Sequence, residues 1–324
     1  MYTLKELSEK VKAYFEAESF MGKPEHLYEP IAYTMKQSGK RIRPTMLLAA
    51  TQLFGGDVEQ ARFAAIGIET FHNFTLLHDD LMDRSPMRRG MPTVYRKWDE
   101  NRAILSGDAM EIMALHYFLL LPHKNIQQIL QTFERTGMEI CEGQQYDMDF
   151  EHRDDVSISE YMEMIRLKTA VLLGGALKMG ALYADASVAE QEAIYRFGID
   201  LGLAFQLRDD YLDAWGDPKT FGKQTGTDIK DNKKTYLVLR ALEKGNATQR
   251  QRLLNLFHNT PDDPTEKIAE VMQIYEALEI KKDVEHEVER YSEAALQHLA
   301  SIERQEEAKK PLQDLAQTMM AREK

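Results

Sequence analysis

The chain has 324 residues, 43% hydrophobic and 29% charged, which supports a sizeable core under a solvated surface and excludes an intrinsically disordered polymer. With 41 Lys and Arg against 53 Asp and Glu, the formal charge of −12 disfavours general nucleic-acid binding but leaves room for a local basic pocket. The single cysteine, Cys141, excludes an internal disulfide scaffold and fits a reducing compartment, so a cytoplasmic location is expected.

Residues 3–18 alternate charged and apolar side chains with no unbroken apolar core, which reads as a helix and not a signal peptide. No run approaches the roughly 18 uncharged apolar residues of a membrane span. Over 61–83 the stripe Phe63, Ile66, Phe71, Phe74, Leu77 and Leu81, with Ile68 beside it, advances mostly in steps of three or four, the helical period. Segments 102–121, 125–148, 158–184, 188–214, 233–244, 265–279 and 281–308 read the same way. Prolines gather at apparent joints, among them Pro44, Pro86, Pro92, Pro261 and Pro264, and the 95 residues between Pro122 and Pro218 hold none. Polar loops fall near 84–93, 215–232 and 258–264. Alternating β-branched runs and Asn-Gly or Asp-Gly hairpin turns are missing, as are linkers and short repeats. One all-α domain over 1–324, with little or no strand, is predicted.

Two acidic clusters stand out. His78-Asp79-Asp80-Leu81-Met82-Asp83 and Arg208-Asp209-Asp210-Tyr211-Leu212-Asp213 are both DDxxD, each at the C-terminal end of an apolar helical segment. Positions i and i+4 share a helix face, so Asp79 pairs with Asp83, and Asp209 with Asp213. Stacked carboxylates repel, and a hard divalent cation reverses that sign. A lone DDxxD reads equally well as a solvated acidic helix end. Two copies beside cations do not: Ser38-Gly39-Lys40-Arg41-Ile42-Arg43-Pro44 precedes the first and Arg88-Arg89-Gly90 follows it. After the second come Lys219, Lys223, Lys230, Lys233 and Lys234. Carboxylates, metal and cations together suit a diphosphate, with arginine forks on phosphate oxygens and lysine as a compact charge.

These residues resemble the trans-isoprenyl diphosphate synthases, or polyprenyl synthetase family. The match runs in order over roughly 38–236 through GKRIRP, HNFTLLHDDLMD, RRGMPT, SGDAM, EGQQYDMD, KTA, FQLRDDYLD, FGK and GTDIKDNKKTYL. Ser38-Gly39 stands where the family usually has Gly-Gly, and the FGKQTG loop is longer than in some relatives, which blurs the alignment between Lys223 and Lys233. The resemblance implies an all-α bundle around a deep central cavity, usually a homodimer, with the two aspartate helices facing across the cavity mouth. It implies head-to-tail prenyl transfer. An allylic diphosphate (dimethylallyl, geranyl or farnesyl) ionises, isopentenyl diphosphate attacks, and a proton leaves.

By motif position the resemblance assigns Asp79, Asp83 and Asp209 as ligands of Mg²⁺ (or Mn²⁺), with three ions when substrate is bound. Asp80, Asp210 and Asp213 support them or ligate occasionally. It sets Arg88, Lys168, Lys223 and Lys233 on the allylic diphosphate, and Lys40, Arg43, His72 and Arg89 on isopentenyl diphosphate. Thr169 and Gln206 lie beside the carbocation, and Gln144 and Asp147 support the site. No general base stands out, leaving the released diphosphate as proton acceptor. Read without the resemblance, His72 is a core histidine, Lys168 a surface lysine and Gln206 a buried amide.

Product length depends in this family on the residues below the first cluster. At about 1.5 Å rise per residue, Thr75, Phe74 and Phe71 lie roughly 6, 7.5 and 12 Å below Asp79. Bulky Phe74, small Thr75 and an uninserted DDLMD match the C20 pattern, with C15 the close alternative. A terpene cyclase, a di-iron bundle built on Glu69-Thr70-Phe71-His72 and an inactive subunit of a heteromeric synthase are the rivals. The second DDxxD with GKRIRP and RRG argues against the first, the lack of a second ExxH against the second, and intact clusters against the third.

Overall fold

A computed structural model describes residues 1–37, 39–121, 124–217 and 225–321. In chain order the elements are α1 (Leu4–Ala17), α2 (Glu25–Lys36), α3 (Ile42–Leu53), α4 (Arg62–Met82), β1 (Met87–Arg88), β2 (Met91–Pro92), α5 (Val94–Lys97) and α6 (Glu100–Leu119). They continue with α7 (Ile126–Phe150), α8 (Ile158–Ile165), a π-helical turn (Arg166–Ala170), α9 (Val171–Tyr183) and α10 (Val188–Trp215). The last are α11 (Thr227–Lys230), α12 (Tyr236–Lys244), α13 (Ala247–Phe257), α14 (Thr265–Ala277), α15 (Ile280–Ala300) and α16 (Glu306–Met320). The fold is all-α, and its one strand pair among the described residues is two residues long on each side.

Local chemistry starts these helices. Thr3 caps α1 and Ser157 caps α8, each in a reciprocal box with a glutamate three residues on, which satisfies amide donors that a helix start leaves open. Asn246 and Gln249 do the same for α13.

Contacts divide the chain into two compact units. The first comprises Met1–Glu134, Ala176–Glu192 and Arg304–Leu312. There α4 packs along α6, and α3 lies against α1 and α4 around Leu7, Val11, Leu47, Ile68, Met110 and Phe118. The second comprises Arg135–Gly175, Ala193–Glu303 and Gln313–Lys324. Its core joins Tyr161, Met164 and Ile165 of α8 to Leu207 of α10, Leu237 to Leu239 of α12, Leu253 of α13 and Tyr275 of α14.

Several elements depart from the sequence reading for physical reasons. All residues of α3 from Pro44 to Leu53 are buried, so it shows no polar–apolar contrast for periodicity to detect. Pro30 and Pro311 lie inside α2 and α16, each in the second turn, where proline forfeits a single backbone bond. The stretch read as one helix over 281–308 is two, with the break at 301–305 carrying neither glycine nor proline. The loop at 84–93 contains the hairpin β1–β2. Its two turn residues, Arg89 and Gly90, both have positive φ (52° and 75°), as a twist-matched two-residue hairpin turn requires.

Candidate active site: two acid–cation clusters

The site residues named by the sequence divide between the units. In the first unit, α4 ends in the first aspartate cluster, and the Asp83 amide donates to Asp79 O (2.8 Å), which fixes the two one helical turn apart. Carboxylates at a helix C-terminus oppose its dipole and need cations nearby. The hairpin brings one. Arg88 Nε donates to Asp80 Oδ1 (2.7 Å) and Nη2 to Asp79 Oδ2 (3.3 Å). Asp80 is 5% exposed; burial pushes its carboxyl up to about 6, with Arg88 pulling the other way.

The basic motifs meet one turn to two turns further down α4. Arg43 Nη1 lies 3.0 Å from His72 Nε2. A guanidinium only donates, so Nε2 accepts and the ring proton sits on Nδ1. Burial, reinforced by Arg43 and Arg89, holds His72 well below the usual histidine range, so it is neutral at pH 7. Arg89 Nη1 donates to Asn73 Oδ1 (3.4 Å). Lys40 is exposed on a cleft also lined by Lys12, Phe15, Lys36 and Arg41, and the Arg41 guanidinium sits 4.2 Å from the Phe15 ring centroid.

Of the chain-length candidates, Phe71 is buried against Phe133 (centroids 5.0 Å), whereas Phe74 and Thr75 are half-buried. Phe74 sits between Phe71 (tilted, centroids 5.4 Å) and His78 (edge-on, 4.9 Å), and Thr75 Oγ1 donates to His72 O (2.8 Å).

The second unit carries the remaining groups. Lys168 and Thr169 lie in the π-helical turn Arg166–Ala170, a form whose single turns recur at functional sites. Lys168 Nζ donates to Asp147 Oδ2 (2.6 Å). Thr169 Oγ1 donates to Gln206 Oε1 (3.2 Å), Gln206 Nε2 to Asp210 Oδ1 (3.2 Å), and the Tyr161 hydroxyl to Asp210 Oδ2. Asp210 is 2% exposed, and burial pushes it up to about 7 against the pull of Tyr161 and Gln206. Asp213 accepts from the Thr227 and Asp228 amides (3.2 and 3.1 Å) and the Thr227 hydroxyl, so it ties down the start of α11. Asp209 is half-buried, and Lys233 lies close enough to Asp228 to favour its charged form. Gln144 Nε2 is cut off from solvent with no hydrogen-bond partner among the described residues. Lys223 falls outside the described residues.

Sequence reasoning missed three participants. Tyr161, the donor to Asp210, lies 49 residues away in sequence with no motif of its own. Asp228 is half-buried, and its loss of solvent, reinforced by the charges of Asp213 and Asp210, holds it well above the carboxylate range; it was visible only as a letter of GTDIKD. Asn73 was visible only as a letter of HNFTLLHDDLMD.

Among the described residues no three His, Cys, Asp or Glu side chains converge as a ready-made metal cage.

Paired carboxylates beside fixed cations on an all-α frame mark a helical protein that handles a polyanion, and known relatives narrow the class. The model of the polyprenyl synthetase family matches residues 24–278. Geranylgeranyl diphosphate synthase of Methanosarcina mazei is 41% identical over 225 residues, 69% of each chain. Geranylfarnesyl diphosphate synthase of Natronomonas pharaonis is 37% identical over 275 residues, covering 79% of this chain and 78% of that one. A crystal structure of a geranylgeranyl pyrophosphate synthase is 44% identical and matches with a TM-score of 0.94 over 99% of both chains. The chain belongs to the polyprenyl synthetase family.

Proposed function

We propose that this trans-prenyltransferase condenses isopentenyl diphosphate with allylic diphosphates and stops at the C20 product, and that both aspartate clusters serve one metal-bound diphosphate. The observation that carries the reading is the pairing of acid with cation in each unit, Arg88 on Asp79 and Asp80 in one and Lys168 on Asp147 in the other.

The donor set fits a hard cation, because Asp79 and Asp83 share a helix face and oxygen ligands dominate. Asp79, Asp83 and Asp209 would hold Mg²⁺, or Mn²⁺, with Asp80, Asp210 and Asp213 behind them. Lewis-acid neutralisation of the departing diphosphate is what the ions would supply. The protein's own cations do the rest: Arg88, Lys168 and Lys233, with Lys223, donate to oxygens of the leaving group as charge develops. Lys40, Arg43 and Arg89 hold isopentenyl diphosphate, and neutral His72 accepts from Arg43 to orient it. Gln206, anchored by Asp210, keeps its carbonyl directed at Thr169, so two oxygen dipoles without strong nucleophilicity flank the forming cation. Asp147 steadies Lys168. No buried base stands ready in this set, and the proton passes to the released diphosphate.

Phe74, wedged between Phe71 and His78, supports the C20 limit. The name geranylgeranyl diphosphate synthase borne by the Methanosarcina mazei relative agrees with it, and C15 is the competing product. A homodimer is supported by the outward face of α6, where Leu105, Ile112 and Leu119, seven residues apart, are 60%, 66% and 57% exposed. No helix among the described residues is long and apolar enough to cross a membrane, and we assign the enzyme to the cytoplasm. The test is incubation of isopentenyl diphosphate with C5, C10 and C15 primers, with Mg²⁺ or with EDTA, followed by product sizing. Mg²⁺-dependent C20 product is expected; no condensation with any primer would overturn the reading.

A further inference from the structure

Glu69 and Asn73, one helical turn apart on α4, are 3% and 4% exposed, and neither has a role in the mechanism above. A buried Glu and Asn in mid-helix run against both burial and helix preference, so what they do instead is informative. Asn73 Nδ2 donates twice, to Glu69 O (2.8 Å) and to Glu69 Oε1 (3.2 Å). Both partners on that side are acceptors, so the amide can point only one way, with Oδ1 on the opposite side. There Oδ1 accepts from Arg89 Nη1 (3.4 Å). Turning the amide over would set oxygen against oxygen and NH₂ against guanidinium, losing all three bonds.

Arg89 is constrained from two other directions. Its backbone is left-handed in the hairpin turn (φ 52°). The Gly39 backbone lies against its guanidinium, so that a Cβ at residue 39 would sit 2.9 Å from Arg89 Cζ. Glu69 Oε2 has no hydrogen-bond partner among the described residues; burial pushes the Glu69 carboxyl above its usual range, with Arg43, Arg89 and Arg41 pulling the other way. The Glu69 side chain thus aims the amide that holds Arg89.

We propose that Asn73, oriented by Glu69, is a positioning residue that presents Arg89 to the diphosphate of the isopentenyl substrate, with Gly39 leaving the space in which the guanidinium lies. The inference rests on the reading that Arg89 binds that diphosphate. It joins the glycine of GKRIRP to the second arginine of RRG through a side chain that belongs to neither motif.

The test is a double-mutant cycle on the full-length enzyme, reading KM for isopentenyl diphosphate at saturating allylic primer, and KM for the primer separately. Losing a hydrogen bond to a charged group at this long distance should raise KM for isopentenyl diphosphate about tenfold in Asn73→Ala. The primer KM should stay within about twofold, and in an Arg89→Ala background the same substitution should add less than about twofold. Gly39→Ala, in a surface loop, gives a second route: it should raise the same KM and likewise lose its effect when Arg89 is absent. An equal effect of Asn73→Ala with and without Arg89, or no effect on that KM, overturns the inference alone. An Arg89→Ala variant with unchanged KM overturns the substrate assignment of Arg89 and the inference with it.

Discussion

Gly143 is buried on α7, facing the π-helical turn that carries Lys168 and Thr169, and Gly143→Ala sets two physical effects against each other. Helix preference alone favours alanine over glycine by about 1 kcal/mol. The steric effect opposes it, because a Cβ at residue 143 would lie 2.4 Å from Lys168 N and 2.8 Å from Leu167 C. Ordinary carbon contacts sit near 3.5–4 Å, so the turn must retreat by about 1 Å, and its nearest atoms are backbone that cannot swing aside. Overpacking costs typically 1–3 kcal/mol, and backbone contact puts this case at the upper end. The net is a loss of about 2 kcal/mol, or roughly 3 °C in Tm for a chain of this length. The same retreat pulls Lys168 from Asp147 and Thr169 from Gln206, both set at hydrogen-bond distance (2.6 and 3.2 Å). A misplacement of about 1 Å can cost on the order of a hundredfold in rate, so kcat should fall roughly ten- to hundredfold. Scanning calorimetry and steady-state kinetics measure both. A variant that melts higher than the parent, as helix preference alone requires, or one that keeps full kcat, refutes the reasoning.

Phe74→Ala should shift products beyond C20, because it removes the ring held between Phe71 and His78; an unchanged product profile by chromatography removes Phe74 from that role. His72 is held well below its usual range, so as pH falls through about 6.5 the unfolded chain takes up a proton that the folded chain refuses. Stability contributed by His72 is therefore present above that pH and lost below it, by up to about 1.4 kcal/mol per pH unit. His72→Gln should show a smaller drop in urea midpoint between about pH 7.5 and about pH 5.5, and an equal drop in both proteins contradicts the assignment. If the proposed homodimer forms through α6, Ile112→Asp on its exposed face should give a monomer by sedimentation, whereas a mass unchanged from the parent's removes α6 from that role.

How far the letters of the sequence reach can be judged from particular elements. Helix α4 was legible because its polar and apolar residues alternate at helical period over six turns and it ends on Asp79–Asp83. Helix α3, buried along ten consecutive residues, carries no such contrast and could be found only by its neighbours. The two aspartate clusters and their cations were visible because each is local in sequence, a motif within one turn or one loop. The supports were not. Tyr161 on Asp210, Asn73 on Arg89 and Gly143 under Lys168 each act across 16 or more residues, on partners that only folding brings close. The π-helical turn is invisible for a related reason, since RLKTA differs in nothing local from ordinary helix.

Under the proposed function both aspartate clusters bind a single metal–diphosphate. Crystals soaked with Mn²⁺ and inorganic diphosphate, recorded at the manganese edge, test it without turnover. The account requires anomalous peaks ligated by Asp79 or Asp83 and by Asp209, all bridged to one diphosphate that Arg88 and Lys168 also touch. Manganese at one cluster only, or diphosphate bound away from both, contradicts it.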